Sequence, residues 1–229
     1  MKKRTRNSIV KIIVFIAAIG LIPFLASSLL SFPVLFSSYT VVLPTMVSAV
    51  AGFGLFLMVF ALTGPPVKSY ILEHELSHLI FALASGIRVK EVSLGKSRAY
   101  VKTDRVNIFV ALFPYAFPLY SLFIIGIYRI AGLFFQNSIF RLSIFFLFGL
   151  SVCFHIVSTI HYIQLDQPDL RRYGYFPSLV LIFFWEIVVL AVMLSFMLEK
   201  IQLIQFFLTF IKGGMEIYSN MYSIFMNVL

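Results

Sequence analysis

His74-Glu75-Leu76-Ser77-His78 places two imidazoles and a carboxylate in one short stretch that is otherwise apolar enough to enter a bilayer. On a helix, residues four apart stand one above the other on one face, so His74 and His78 can offer two nitrogens to one tetrahedral zinc ion. Glu75 directly follows the first of them. From that offset its carboxylate reaches a metal-activated water, takes a proton from it and returns the proton to a leaving amine. The chain holds only 4 His in 229 residues, and chance placement of its His and Glu predicts roughly 0.002 copies of this motif. An ionisable side chain in hydrocarbon costs about 3 kcal/mol. Glu73, His74, Glu75 and His78 together therefore read as a metal site before they read as a packing cluster.

Two histidines do not complete a catalytic zinc site, which takes three protein ligands and keeps a fourth position for water. Four further donors are available: Asp166 and Asp169 in Gln164-Leu165-Asp166-Gln167-Pro168-Asp169-Leu170, together with His155 and Glu186. His155 and His161 are six residues apart, about 240° around a helix, so they do not share a face. His155 reads as a donor that orients a carboxylate, or as a partner for Glu186 across a bundle. Glu186 lies in an apolar stretch and must be protonated, paired or turned to water. Cys153 is the only cysteine, which excludes an intramolecular disulfide and a Cys-based zinc knuckle.

These donors need helices to hold them, and the composition supplies membrane helices. The chain is 61% hydrophobic and 12% charged, unlike a soluble domain of its length. Its net charge of +9 comes from basic residues gathered at the N-terminus and in short loops. Membrane orientation and anionic headgroups explain that distribution, and no nucleic-acid partner is expected. The expected fold class is an all-α polytopic membrane protein forming a single membrane-embedded domain over 1–229. About six transmembrane helices are placed near 8–31, 41–63, 67–85, 106–127, 140–163 and 176–198. The first run exceeds the roughly 7–15 residues of a signal-peptide core, so it reads as a retained span.

Gly64-Pro65-Pro66 separates the second span from the third, and Gly86 suits the C-terminal cap of the motif helix. Behind that helix, Val89, Glu91 and Ser93 alternate with Lys90, Val92 and Leu94. Gly95-Lys96 then precedes Arg98-Ala99-Tyr100-Val101-Lys102, which predicts a small β-hairpin. Its free edge can pair with an extended segment of another chain. The zinc-site core spans 67–180. Residues 200–229 predict a C-terminal interfacial helix, interrupted at Gly213-Gly214 and resuming with Ile217, Tyr218, Met221, Tyr222 and Phe225. Basic residues at the N-terminus and between Arg88 and Arg105 conflict in orientation if three full spans separate them.

On these residues the chain resembles the site-2 protease family of intramembrane zinc metallopeptidases. The resemblance joins the His74-to-His78 helix, the hairpin behind it, the Pro114-Tyr115-Ala116-Phe117-Pro118 span and the late acidic motif, over residues 67–180. The family draws its third ligand from a late aspartate, commonly in Leu-Asp-Gly, whereas here Gln167 follows Leu165-Asp166. His155, Thr159, Gln167, Asp169, Leu170, Gly174 and Ser178 look like a compact bacterial branch in which Gln-x-Asp-Leu carries the ligand. The resemblance thus implies Zn2+ held by His74, His78 and Asp169, ahead of Asp166, with Glu75 catalytic. The aspartate not used would cap a helix or face Arg171 or Arg172.

It further implies hydrolysis of peptide bonds in membrane-protein substrates, in the lipid bilayer of a bacterial plasma membrane. Substrate choice would then reside in the membrane region or in a partner protein, and nothing in the sequence sets the oligomeric state. A CAAX-type membrane zinc protease would take Glu186 as third ligand, although no second acidic residue stands a helical turn from it. A non-catalytic scaffold, transporter or immunity protein would keep the motif without turnover. Di-iron desaturase chemistry is excluded, because it needs many more histidines than 4.

Overall fold

The computed structural model describes residues 2–36, 43–94, 99–165, 167–198 and 203–228. Asp166 and the expected hairpin turn at Gly95-Lys96 lie outside the described residues. In chain order the elements are α1 (Lys2–Phe36), α2 (Leu43–Thr63), α3 (Val67–Ala84), β1 (Val89–Leu94), β2 (Ala99–Thr103) and α4 (Ile108–Leu112). A 3-10 turn at Phe113–Tyr115 follows, then α5 (Leu119–Ala131), α6 (Ser138–Ile163), α7 (Pro168–Tyr173), α8 (Tyr175–Met197) and α9 (Leu203–Val228). They gather into two compact units, Thr40–Pro168 and Met1–Tyr39 with Asp169–Leu229.

Among the described residues, four helical segments are long and apolar enough to cross a membrane: Ser8–Leu35, Leu43–Thr63, Ser138–Ile163 and Tyr175–Met197. These match four of the expected spans. The other two differ. The span expected at 67–85 is an 18-residue helix that carries Lys68, Glu73 and Glu75, too much charge for a simple crossing. The span expected at 106–127 is broken: Ile108–Tyr115 and Leu119–Ala131 meet at 75°. Pro114 and Pro118 cause the break, because neither can donate a backbone N–H to continue the helix before it. Counting the bent pair as one gives up to five spans. Among the described residues, two candidate spans, Ser8–Leu35 and Leu43–Thr63, precede the hairpin.

In the unit Thr40–Pro168, α2 and α6 approach closely through small residues. A Cβ on Gly52 would lie 1.9 Å from the Phe146 carbonyl oxygen, and one on Gly149 would lie 1.9 Å from that of Ala49. Ser48 Oγ donates to the Leu142 carbonyl at 2.8 Å across the same seam. Backbone contact of this kind supplies dispersion where lipid offers no hydrophobic drive. Gly149→Ala is expected to force the helices apart and cost about 1–3 kcal/mol, read as a lowered thermal midpoint of the detergent-solubilised chain.

The hairpin forms as expected. β1 and β2 pair antiparallel, with Glu91 opposite Lys102, Val92 opposite Val101 and Ser93 opposite Tyr100, and a bulge between Val89 and Glu91. Tyr100 donates its hydroxyl to Glu91, which raises the phenol above its ordinary pKa. Lys90, 2.7 Å from Asp104, holds that carboxyl below its usual range. These exposed pairs fix register more than they add stability.

In the other unit, α1 runs against α8 and α9, with Leu35, Ala191, Phe206 and Phe210 buried at its core. Gly213-Gly214, expected to interrupt the last helix, lies inside the continuous α9. The reason is tertiary. A Cβ on Gly214 would meet the Phe24 ring at 2.3 Å and one on Gly213 would meet Ser27 Cβ at 2.9 Å, so the glycines admit α1 instead of ending α9. Ser27 Oγ donates to the Phe210 carbonyl at 2.7 Å beside them.

Candidate metal centre

The motif helix α3 is bounded by glycine and proline at one end and glycine at the other. Gly64 adopts φ 77° after α2, and Val67 begins α3 directly after Pro65-Pro66. At the far end Gly86 takes φ 61°, its N–H donates to Leu83 O at 3.0 Å, and Ile87 N–H donates to Ala82 O at 2.9 Å. This is a Schellman closure with Ala82 and Ile87 packed together, as the position of Gly86 predicts.

Between these ends α3 is inside out. Tyr70, Glu73, His74, Ser77 and His78 follow the spacing of one helical stripe. Tyr70, Glu73 and Ser77 on that stripe are buried and the two histidines half-buried. Leu72, Ile80 and Leu83 stand on the outer side, exposed. Apolar side chains thus face outward and polar ones inward, the reverse of a surface helix in water.

The two histidines converge. His74 Nε2 and His78 Nε2 are 3.1 Å apart, with their rings at 89°. Two nitrogens bound to one tetrahedral zinc at about 2.0–2.1 Å stand about 3.3–3.4 Å apart, so the pair fits a shared zinc with little adjustment. His78 is fixed from behind, since its Nδ1–H donates to the Val110 carbonyl at 2.7 Å. That leaves a lone pair on Nε2, the form a metal needs.

Val110 is free to accept for a reason visible in the chain. Its carbonyl would ordinarily pair with the N–H four residues on, but that residue is Pro114, which has none. Asn107 caps α4 by accepting the Val110 N–H on its side-chain oxygen at 2.8 Å, which sets the orientation of this first turn. The sequence reading missed Val110. The Val110-to-Pro114 spacing is the signal that could have found it.

Aromatic rings enclose His74. Tyr115, fully buried, stands edge-on at 4.8 Å, and Tyr70 lies at 5.6 Å and stacks on Tyr162 at 4.1 Å. Tyr115 donates its hydroxyl to Gln167 Oε1 at 3.3 Å, and Gln167 Nε2 donates to the Tyr162 carbonyl at 3.0 Å. Gln167 is thereby tied to the ring that covers His74.

Glu73 is a second residue whose part the sequence left unassigned. Its Oε2 lies 3.1 Å from His155 Nδ1, with both side chains 1% exposed, and its Oε1 accepts the Tyr120 N–H at 3.3 Å. One carboxylate thus joins α3 to α6 and caps the N-terminus of α5, where Pro118 offers no side-chain cap. Glu73 is thus a carboxylate that His155 meets, in keeping with the expectation that His155 orients one.

Of the remaining expected residues, Glu75 is half-buried on α3 beside His74. Asp169 is half-buried in the first turn of α7, and Glu186 is half-buried in α8. His161 packs its ring against Phe60 and Tyr162, on a different face of α6 from His155. Comparison with family models, with curated proteins and with solved structures finds no match.

Proposed function

We propose that this chain is an intramembrane zinc metallopeptidase that hydrolyses peptide bonds of membrane-protein substrates in a bacterial plasma membrane. The observation that carries the reading is the convergence of His74 Nε2 and His78 Nε2 at 3.1 Å, with His78 Nδ1 already committed to a carbonyl. Asp169 is the proposed third ligand. It follows Gln167 by two residues, a path of no more than about 7 Å along the chain, and Gln167 is bonded to the tyrosine that covers His74.

Zinc held there by His74, His78 and Asp169 would supply a Lewis acid, lowering the pKa of a water to about 7 and polarising the scissile carbonyl. Glu75 performs the proton work. As the water oxygen bonds to the carbonyl carbon, the Glu75 carboxylate takes its proton, then hands it to the amide nitrogen as the C–N bond breaks. A substrate helix hides its carbonyls in internal hydrogen bonds, so the segment must unwind, and the hairpin edge offers it strand pairing. The polar stripe of α3 keeps water at the site within an apolar surround.

Metal content of the purified full-length chain tests this reading. About one zinc per chain is expected in wild type and in Glu186→Gln, with loss in Asp169→Asn. Loss in Glu186→Gln alone would instead favour the CAAX-type ligand set, and loss in Asp166→Asn alone would move the ligand to that residue. A folded wild type that takes up no zinc when supplied with it would sink the metallopeptidase reading. Pro114→Ala supplies a backbone N–H that competes for the Val110 carbonyl. It is expected to weaken zinc affinity about tenfold, measured by chelator competition.

A further inference from the structure

The two histidines are served unequally on their far sides. His78 Nδ1 meets the Val110 carbonyl, whereas His74 Nδ1 is buried with no hydrogen-bond partner among the described residues. Ser158 Oγ and Thr159 Oγ1, on residues 0% and 4% exposed, share that condition. Buried polar atoms are nearly always paired with protein or with ordered water, so such a group needs an explanation.

Two side-chain contacts join the helices that carry these atoms. Tyr162 of α6 stacks on Tyr70 of α3, and His155 of α6 reaches Glu73 of α3. Ser158 and Thr159 lie between those two anchor points on the same face of α6, at steps of three and four residues. His74 lies one turn beyond Tyr70 and next to Glu73. The hydroxyls therefore sit on the α6 face that meets α3 along the turn leading to His74.

We propose that Ser158, Thr159 and His74 Nδ1 hold a buried water that lets His74 change tautomer as a metal enters. The argument follows the protons. His78 keeps its proton on Nδ1, so its Nε2 is an acceptor, and at 3.1 Å the metal-free His74 must donate from Nε2. Its Nδ1 then has to accept. When Nε2 turns its lone pair to a metal, the ring proton sits on Nδ1, which must donate. A carbonyl suits His78, whose polarity does not change. Water and hydroxyls donate or accept, and so suit His74 in both states. The role in metal loading rests on the metallopeptidase reading, while the water site itself does not.

The test uses the full-length chain with 15N-labelled histidine in detergent, for wild type, Ser158→Ala, Thr159→Val, the double variant and Thr159→Ser. In metal-free wild type we expect an unprotonated Nδ1 on His74 and a hydration cross-peak to its ring. Zinc should move the proton to Nδ1. The double variant should lose the cross-peak and bind zinc about 10–100-fold more weakly, while Thr159→Ser keeps both. The thermal midpoint of the metal-free double variant should not fall, whereas a merely structural role would lower it. Absence of the cross-peak in wild type, or its survival in the double variant, overturns the proposal. The single variants carry the same comparison if the double fails to fold. A wild type that binds no zinc refutes the metallopeptidase reading, and the metal-free spectra then decide the water site alone.

Discussion

Glu75→Gln is expected to keep the zinc content of wild type and to lose cleavage by a factor of about 10²–10⁴. The substitution preserves size and hydrogen-bonding reach but removes the basicity that lets the side chain accept a proton from water. Because Glu75 is not one of the proposed ligands, His74, His78 and Asp169 should hold the metal as before. The measurement has two parts: metal per chain after purification, and the new N-termini of membrane-protein fragments in cells expressing wild type or variant. Unchanged zinc with lost fragments supports the role of Glu75 as the proton carrier. Identical fragment sets from wild type and variant, with zinc bound in both, would instead make the chain a scaffold that retains a metal motif without turnover.

What could be read from the sequence was local. The His74 and His78 pairing depends on one helical turn, the hairpin on alternation within 89–102, and the end of α3 on Gly86. Each is a short-range signal that tertiary contacts reinforce. The features that were not legible join distant parts of the chain. Glu73 and His155 are 82 residues apart, and nothing in either neighbourhood names the other. The bend at Pro114 and Pro118 was present as residue types, yet hydropathy averaged over 106–127 reads as one span and conceals a 75° turn. That bend is what exposes the Val110 carbonyl to His78. Gly213-Gly214 misled in the opposite direction, because glycine's weak helix propensity is overridden when α1 occupies the space a side chain would take.

The pair formed by Glu73 and His155 should carry the largest single contribution to stability among the polar contacts of α3. His155→Ala leaves the Glu73 carboxylate buried, with the Tyr120 N–H at 3.3 Å as its remaining donor among the described residues. Removing one member of a buried ion pair typically costs about 3–5 kcal/mol, and the same range is expected for His155→Ala. Replacing both residues, Glu73→Leu with His155→Leu, removes the uncompensated group and restores apolar packing. The double variant should therefore lie within about 1 kcal/mol of wild type, giving a strongly non-additive cycle in denaturant unfolding. Its zinc affinity should behave differently. Glu73 precedes His74 and ties the rotation of α3 to both α5 and α6, so a well-folded double variant is still expected to bind zinc about tenfold more weakly. Stability restored without affinity would identify the pair as a device that orients the motif helix. Additive losses in stability would show that the two side chains act independently, and would remove the basis for assigning Glu73 that role.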